Sequence, residues 1–536
     1  MVGSAEGGGL CRRRDRGHQR RFRAGGAGSS GLRPCDGGPL PDLPSPGLLG
    51  ERARQRPRSG GGAVKRSLVL AGGGMRVAWQ AGVVRALAEE GLHFDHVDGT
   101  SGGILTAGML LSGVPAEDMC RNWSGVNVKD FGSALPLGDY AKGPWSLPAI
   151  GDADGLLRKV FPALGIDDGE IRRRAALPGA VEGTFNVVEF TGKLCHAIDA
   201  RDVDAGLMAA GMSLPIFLTP LRRDGKIWTD AVWVRDANVA EALRRGADEV
   251  WLVWCIGNTG YWGDGPLEQY VHMIEMSAMG ALLADFEAAK AAGRDFILHV
   301  VRPENPLPLD PEFYLNRIDA DTLIGMGYRD ARSYLKDMTA EGLPKDASCT
   351  AMVEPPAGIR FTERFGGRDA GGGGDRAGGG AGGAGGGAGG GSTGSEVRLT
   401  VTVALPLKDS GAAARLTGFL DYAPFGPRVF LAGGRVDVRG ESVTYRASVR
   451  AGGAWHRLSL ARVFHDDPGP DAWDDTRQAR LTVGSLLDVP VTMGLADAAA
   501  LIASVEPAGV HGPGDKAGVL ANIAARGLRE AFRRYG

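Results

Sequence analysis

The stretch His96-Val97-Asp98-Gly99-Thr100-Ser101-Gly102-Gly103 runs directly into Ile104-Leu105-Thr106-Ala107-Gly108-Met109-Leu110-Leu111. That order of residue types predicts a strand end, a tight turn and a helix. Gly99 to Gly103 fits the pattern G-x-S-x-G, in which small residues on both sides of the serine let strand and helix approach closely and leave its hydroxyl on a strained turn. At a helix N-terminus, unpaired N–H groups and the helix dipole favour developing negative charge, which acyl transfer requires. A chain with 86 glycines also produces such matches by chance, so a plain Gly/Ser turn is the competing reading until its context decides.

Toward the N-terminus, Ser67-Leu68-Val69-Leu70-Ala71 reads as a short buried strand and Gly72-Gly73-Gly74 as a turn. From Val77 to Leu92, Ala78, Ala81, Val84, Leu87 and Ala88 recur at helical spacing, and Phe94 to Val97 forms a second strand. Two successive strand-turn-helix units predict an α/β fold, a mainly parallel sheet flanked by helices. Further on, residues 184–188 and 249–254 read as buried strands, 299–303 as a last strand, and 267–291 and 320–336 as covering helices. Between them the small-residue run Ala209 to Phe217 reads as a helix end stopped by Pro215.

Composition divides the chain further. Residues 1–64 are Gly, Arg, Pro and Ser with few apolar side chains, and such a tail is expected to be disordered. A solvated tail, or a start codon assigned too early, accounts for its arginines better than an RNA- or lipid-binding arm. Residues 65–365 are expected to hold the α/β domain, and 366–396, almost pure Gly and Ala, a flexible linker. Residues 397–536 alternate apolar with polar over 397–405, 428–438, 442–449, 455–463 and 478–483, which predicts a β-rich accessory domain. Two terminal helices, 495–505 and 516–532, are expected to end it.

The net charge of −2 gives no reason to expect nucleic acid. Cys11, Cys35, Cys120, Cys195, Cys255 and Cys349 are widely spaced, without a C-x-x-C pair. They read as reduced thiols of a cytoplasmic protein, with no zinc site. No apolar run reaches membrane-spanning length, and the N-terminal arginines precede no apolar signal region.

A serine nucleophile needs a base. His272 and His299 fall inside an expected helix and strand, His93 and His96 precede the nucleophile on its own strand, and His196 follows Cys195 in a hairpin. None occupies the loop position that a Ser-Asp-His enzyme uses. Asp230 is more promising: in Lys226-Ile227-Trp228-Thr229-Asp230-Ala231-Val232 it follows a short apolar stretch and precedes a small residue. A carboxylate held against a serine hydroxyl takes its proton directly, making a dyad.

With these residues in view, the segment from about Ser67 to Leu335 resembles the patatin-like phospholipases. Leu68 to Arg76 is similar to that family's strand and glycine-rich loop, and Gly99-Thr100-Ser101-Gly102-Gly103 to its nucleophile elbow. Ser213-Leu214-Pro215-Ile216-Phe217 is similar to its S-x-P-x-x-F segment, and Asp230-Ala231 to its D-G/A motif. The resemblance implies a three-layer sandwich, Ser101 as nucleophile, Asp230 as base, and an oxyanion hole of N–H groups around Gly73, Gly74 and Met75. Arg76 would shape that loop or meet lipid phosphate. Two motifs depart from the family pattern: in the glycine loop Val77 stands where a third glycine is usual, and after the aspartate Val232 and Asn238-Val239-Ala240 replace a second glycine and an Asn-x-Pro. If position 77 needs a positive φ or close helix packing, a valine there costs on the order of 1 kcal/mol or more and misplaces the N–H donors.

The glycine-rich loop also has a dinucleotide reading, but Val77 breaks G-x-G-x-x-G, and Glu89 and Glu90 fall on the expected helix rather than at a strand end. Residues 397–536 more distantly resemble an accessory β domain found beside actinobacterial cholesterol-oxidase-like and lipase-like enzymes, through Phe464 to Gly469 and Asp471 to Thr476. Their acidic cluster, Asp466, Asp467, Asp471, Asp474 and Asp475, lacks EF-hand spacing and reads as a solvated turn.

The expected function is a serine-dependent lipid acyl hydrolase, of phospholipase A or lipase type, without cofactor or metal. Its partner is a lipid or acyl-ester substrate, met in the cytoplasm or by peripheral contact with a membrane. Trp123, Phe131, Leu135, Trp145 and Leu147 are candidates for an acyl channel, against a reading of them as ordinary core. Two other functions fit the same residues. One is a catalytically weakened lipid-binding or scaffolding protein, which Val77 and the altered aspartate motif suggest; the other is a thioesterase or non-lipid esterase.

Overall fold

The computed structural model describes residues 64–141, 143, 146–307, 319–369, 394–407, 413–439, 442–463 and 477–535. The N-terminal tail with Cys11 and Cys35, most of the Gly/Ala-rich linker, Trp145 and the acidic cluster at 466–475 lie outside these residues.

Eight strands form the first sheet: β1 (Arg66–Leu70), β2 (His96–Thr100), β3 (Glu182–Glu189), β4 (Leu194–Asp199), β5 (Leu221–Arg223), β6 (Lys226–Asp230), β7 (Glu249–Val253) and β8 (Ile297–Val301). Their order is β8-β7-β1-β2-β3-β6-β5, with β4 also against β3. The five strands from β8 to β3 run parallel, and β4, β5 and β6 add antiparallel pairings at one end.

The parallel strands are apolar on both faces, as burial between two helical layers demands. Leu68, Leu70, Trp251 and Val253 enter one core, while their neighbours Val69, Ala71, Val250 and Leu252 enter another. α1 (Ala78–Glu89), α2 (Gly103–Leu111) and a later helix, Ala320–Asp337, cover the first face. α3 (Val239–Arg244) and α4 (Pro266–Ala291) cover the second, and the Ala320–Asp337 helix is named α5 from here. The expected three-layer sandwich is thus present.

The C-terminal half is an antiparallel β-barrel. β9 (Gly358–Asp369), β10 (Ser395–Pro406), β11 (Arg415–Tyr422), β12 (Gly426–Phe430), β13 (Ala432–Arg439), β14 (Ser442–Ala451), β15 (Ala454–Val463), β16 (Gln478–Val483) and β17 (Leu487–Thr492) make it up. The pairing runs β9-β17-β16-β15-β14-β13-β11-β10, and β10 returns to β9, closing a ring. Alternate side chains such as Val397, Leu399, Val401 and Val403 fill the interior, the arrangement expected of a small barrel. α6 (Leu495–Ser504) and α7 (Pro513–Tyr535) follow it.

The domain boundary expected at residue 366 falls inside a strand. Gly366 and Gly367, read as the start of the linker, pair with Arg398 and Val397 on one side and with Thr492 and Val491 on the other. The barrel therefore takes its first strand from before the Gly/Ala-rich segment. It also packs on the α/β half: Phe419 and Phe430 join the core under α1 and α5, and Arg428 pairs with Asp321 at 2.7 Å. Among the described residues, no helix is long and apolar enough to cross a membrane.

Candidate active site

β3 assembles the site along one edge. β4 pairs with residues 184–189 of β3, so the opposite edge must serve both β2, paired with residues 182–186, and β6, paired with 187–189. Thr100 at the end of β2 faces Asn186, and Asp230 at the end of β6 faces the next residue, Val187. Ser101 follows Thr100, so register alone brings it to Asp230. Its Oγ–H donates to Asp230 Oδ2 at 2.7 Å. Ser101 has a φ of 50°, a left-handed conformation that a non-glycine residue holds only under constraint from its surroundings.

Asp230 is nearly inaccessible, and among the described residues no cation pairs with it. Its Oδ1 accepts the N–H of Val232 at 2.9 Å, and its own N–H donates to Ser213 O at 3.3 Å. Burial pushes its carboxyl up to about 7, and the hydrogen bonds from Ser101 and from the Val232 and Ala231 backbone offset that only in part.

The glycine-rich loop lies between β1 and α1 and is tied at several points. Gly72 N–H donates to Asp236 Oδ1 at 2.8 Å, the Cys255 thiol donates to Gly72 O at 3.0 Å, and Gln80 Nε2 donates to Ala71 O at 2.7 Å. Buried Arg76 turns its Nε back to Gly73 O at 3.0 Å. Gly74 takes a φ of 59°, which an L side chain rarely adopts. Among the described residues, no acceptor engages the N–H of Gly73 or Gly74. The loop lies over Gly102, where an added Cβ would stand 3.2 Å from Gly74 N. Met75 is buried in the 3-10 turn Gly74–Val77. Val77, whose backbone was the open question in the loop, has a φ of −66°. No left-handed conformation is asked of it, while its Cγ1 packs closely on the elbow, 2.7 Å from where a Cβ on Gly102 would stand.

Three buried polar residues that the sequence reading did not single out for the site brace the elbow from below. Asp98 accepts hydrogen bonds from Thr184 Oγ1 and Asn186 Nδ2, at 2.6 and 2.7 Å. Asn186 also donates to Thr100 Oγ1 at 2.8 Å and accepts from Asn238 Nδ2 at 2.7 Å. Asn238 thereby links the N-terminus of α3 to β2, the strand that leads into Ser101. The available signal was Asp98 itself, a charge in a strand that is otherwise buried.

The histidines lie elsewhere. His96 bridges Ser67 and Thr184, His299 stacks on Trp251, and His272 contacts Gly263 N–H and Glu275. Among the described residues no histidine bonds Ser101 or Asp230, and no His/Cys/Asp/Glu group has metal-site geometry.

Beside Ser101 and Asp230 opens a cavity of about 420 Å³, walled by apolar side chains including Met75, Leu156, Met212, Leu218 and Ile274, with Arg76 and Lys129 as its cations. Of the aromatic and leucine candidates for an acyl channel, Phe131 lines it and Trp123 stacks behind Phe131 at 6.1 Å. Leu135 and Leu147 are not in its wall.

Residues 68–243 match the family model of patatin-like phospholipases. Among solved structures, the chain is similar to VipD from Legionella pneumophila at 15% identity and a TM-score of 0.28, over 52% of this chain and 69% of that one. No curated protein matches. The family match spans the glycine-rich loop, the serine elbow and Asp230, and the chain therefore carries, over residues 68–243, a domain of the patatin-like phospholipase family of lipid hydrolases.

Proposed function

We propose that this domain hydrolyses the acyl ester of a lipid, with Ser101 as nucleophile and Asp230 as its base. The observation that carries the reading is the 2.7 Å hydrogen bond from Ser101 Oγ to a buried carboxylate that no cation among the described residues pairs with. Ser101 Oγ attacks the ester carbonyl carbon as its proton passes to Asp230 Oδ2. The carbonyl oxygen becomes an oxyanion facing the N–H groups of Gly73 and Gly74. When the carbon–oxygen bond to the leaving alcohol breaks, Asp230 returns the proton to the departing oxygen and an acyl-Ser101 remains. Water then attacks that acyl group, Asp230 takes the water's proton, and the collapse releases the fatty acid as Ser101 regains its hydrogen. A carboxyl held near 7 suits the task, since a base works best with a pKa near the working pH.

The apolar wall suits an acyl chain, and Arg76 and Lys129 suit an anionic head group. Apolar side chains also stand in solvent where this cavity opens: Ile150 and Phe217 belong to its wall and are 57% and 37% exposed, and Ile216 beside them is 60% exposed. Such a rim fits a substrate taken from a lipid surface.

The test is turnover of a soluble short-chain ester and labelling by a fluorophosphonate probe. Ser101→Ala and Asp230→Asn should each lose at least 1,000-fold in kcat, of the order seen when a nucleophile or its base is removed. The probe should label wild type at Ser101 alone. Equal turnover by wild type and Ser101→Ala would refute the assignment.

A further inference from the structure

One buried acid beside the dyad has no part in the reaction just described. Asp236 follows the single helical turn Val232–Arg235 that begins two residues after Asp230, and it is 0% exposed. Its Oδ1 holds the N–H of Gly72 at 2.8 Å, while its Oδ2 is buried without a hydrogen-bond partner among the described residues. Gly72 is wedged between this acid and the nucleophile. A Cβ on Gly72 would stand 2.4 Å from Asp236 Oδ1 and 2.8 Å from Ser101 Cβ. The next two residues, Gly73 and Gly74, carry the free N–H groups that face the reacting oxygen in the reading above.

The surroundings decide the charge of Asp236. The charged groups that act on it are Asp230 at the end of β6 and Arg76 in the turn after the loop, with Ser101 across Gly72 from it. Only Arg76 is cationic, and its Nε is committed to Gly73 O. A carboxylate with a dry, unpartnered oxygen is far more costly than the neutral acid, and a second acid nearby disfavours ionisation further. Burial, with Asp230 adding to it, pushes the Asp236 carboxyl up to about 8, against the pull of Gly72 N–H and Arg76. An asparagine in its place would keep an oxygen for Gly72 and could never ionise.

We propose that Asp236 is a positioning residue: as a neutral acid it anchors the glycine-rich loop over Ser101 through Gly72, and on ionising it opposes the negative charge that develops on the substrate oxygen. This rests on the acyl-hydrolase reading of the site. Turnover then requires Asp230 ionised and Asp236 neutral, so kcat/KM follows a bell against pH whose limbs belong to the coupled pair. Asp98, beneath the elbow, is also raised by burial, to about 7. Substituting Asp236 alone separates its contribution from that one.

The experiment measures kcat and KM of the full chain on a soluble nitrophenyl ester from pH 5 to 10, for wild type, Asp236→Asn, Asp236→Ala and Ser101→Ala. Asp236→Asn should stay within about threefold of wild type at pH 7 and keep the acid limb while the alkaline limb flattens to a plateau. Asp236→Ala should lose about 10- to 100-fold in kcat at every pH with KM little changed, less than deletion of an oxyanion donor outright. An alkaline limb that persists in Asp236→Asn, or a wild-type kcat in Asp236→Ala, overturns the proposal while leaving the dyad intact. Full turnover by Ser101→Ala would instead overturn the dyad, and this inference with it.

Discussion

Asp230 weakens the fold at the pH where it would act as base. Its carboxyl is raised from the usual carboxylate range to about 7 by burial, so the folded chain holds a proton that the unfolded chain has released. Below about pH 4 both states are protonated and the group costs nothing. As pH climbs from there to 7, the unfolded state ionises first and stability falls by about 1.4 kcal/mol per pH unit for this one group, until the folded group ionises too. Asp230→Asn removes that loss. Its Tm should exceed that of wild type by a few degrees at pH 8, with the gap closing toward pH 4, while turnover is lost. Thermal melts of the two proteins across that range check this, and a gap independent of pH would count against a buried, proton-holding Asp230. Ser101 and Asp230 were both legible because motifs mark them: a small-residue turn, and an acid after a short apolar strand. Asp236 was not. Its part depends on one turn of helix carrying it back to Gly72, a contact that no spacing in the sequence announces.

At the scale of elements, the α/β half read well because each unit repeats strand, glycine turn and amphipathic helix. The barrel read less well, for local reasons. The end of β9 reads as linker because Gly366 and Gly367 adjoin the Gly/Ala-rich run, and its first residues read as part of the α/β domain; β11 carries Gly418 in mid-strand, and β17 contains Pro490, a residue that usually argues against a strand. Tertiary pairing overrode composition in each. The loops round the cavity mouth hold another feature that periodicity could not show. Ile216 has a φ of 78°, a strained choice for a β-branched residue, and its carbonyl accepts the N–H of Ile150 at 2.8 Å. Tyr140, one turn from exposed Leu137, donates to Ile150 O at 2.8 Å, so three segments are tied into one apolar rim. If the rim meets lipid, Leu137→Ser with Ile216→Ser should lower hydrolysis of vesicle phospholipid at least tenfold and leave a soluble short-chain ester within about twofold. Equal losses on both substrates would place the effect in the cavity rather than at a surface.

On the scale of the molecule, the barrel acts as a buttress for the α/β half. Phe430 on β12 meets Tyr328 of α5 at 5.3 Å between ring centroids and Phe419 of β11 at 6.1 Å, and all three are buried in the core that α1 shares. Polar contacts frame this junction: Arg450 donates to Glu89 O at the end of α1 at 2.6 Å, and Arg332 of α5 sits over the Trp455 ring at 4.5 Å. α1 in turn starts immediately after the 3-10 turn of the glycine-rich loop, so the shared core supports the element from which that loop hangs. Two halves that share a core in this way should unfold together. Phe430→Ala, which lies in the barrel, should therefore cost about 3 to 5 kcal/mol, in the range for a buried Phe truncation. It should lower the Tm reported by Trp79, Trp251 and Trp254, which are buried in the α/β half. Tryptophan fluorescence and far-ultraviolet circular dichroism should give one coincident transition in both proteins, shifted down by several degrees in the variant. A tryptophan transition that stays in place while the dichroism splits in two would mean that the barrel folds independently and gives α1 no support.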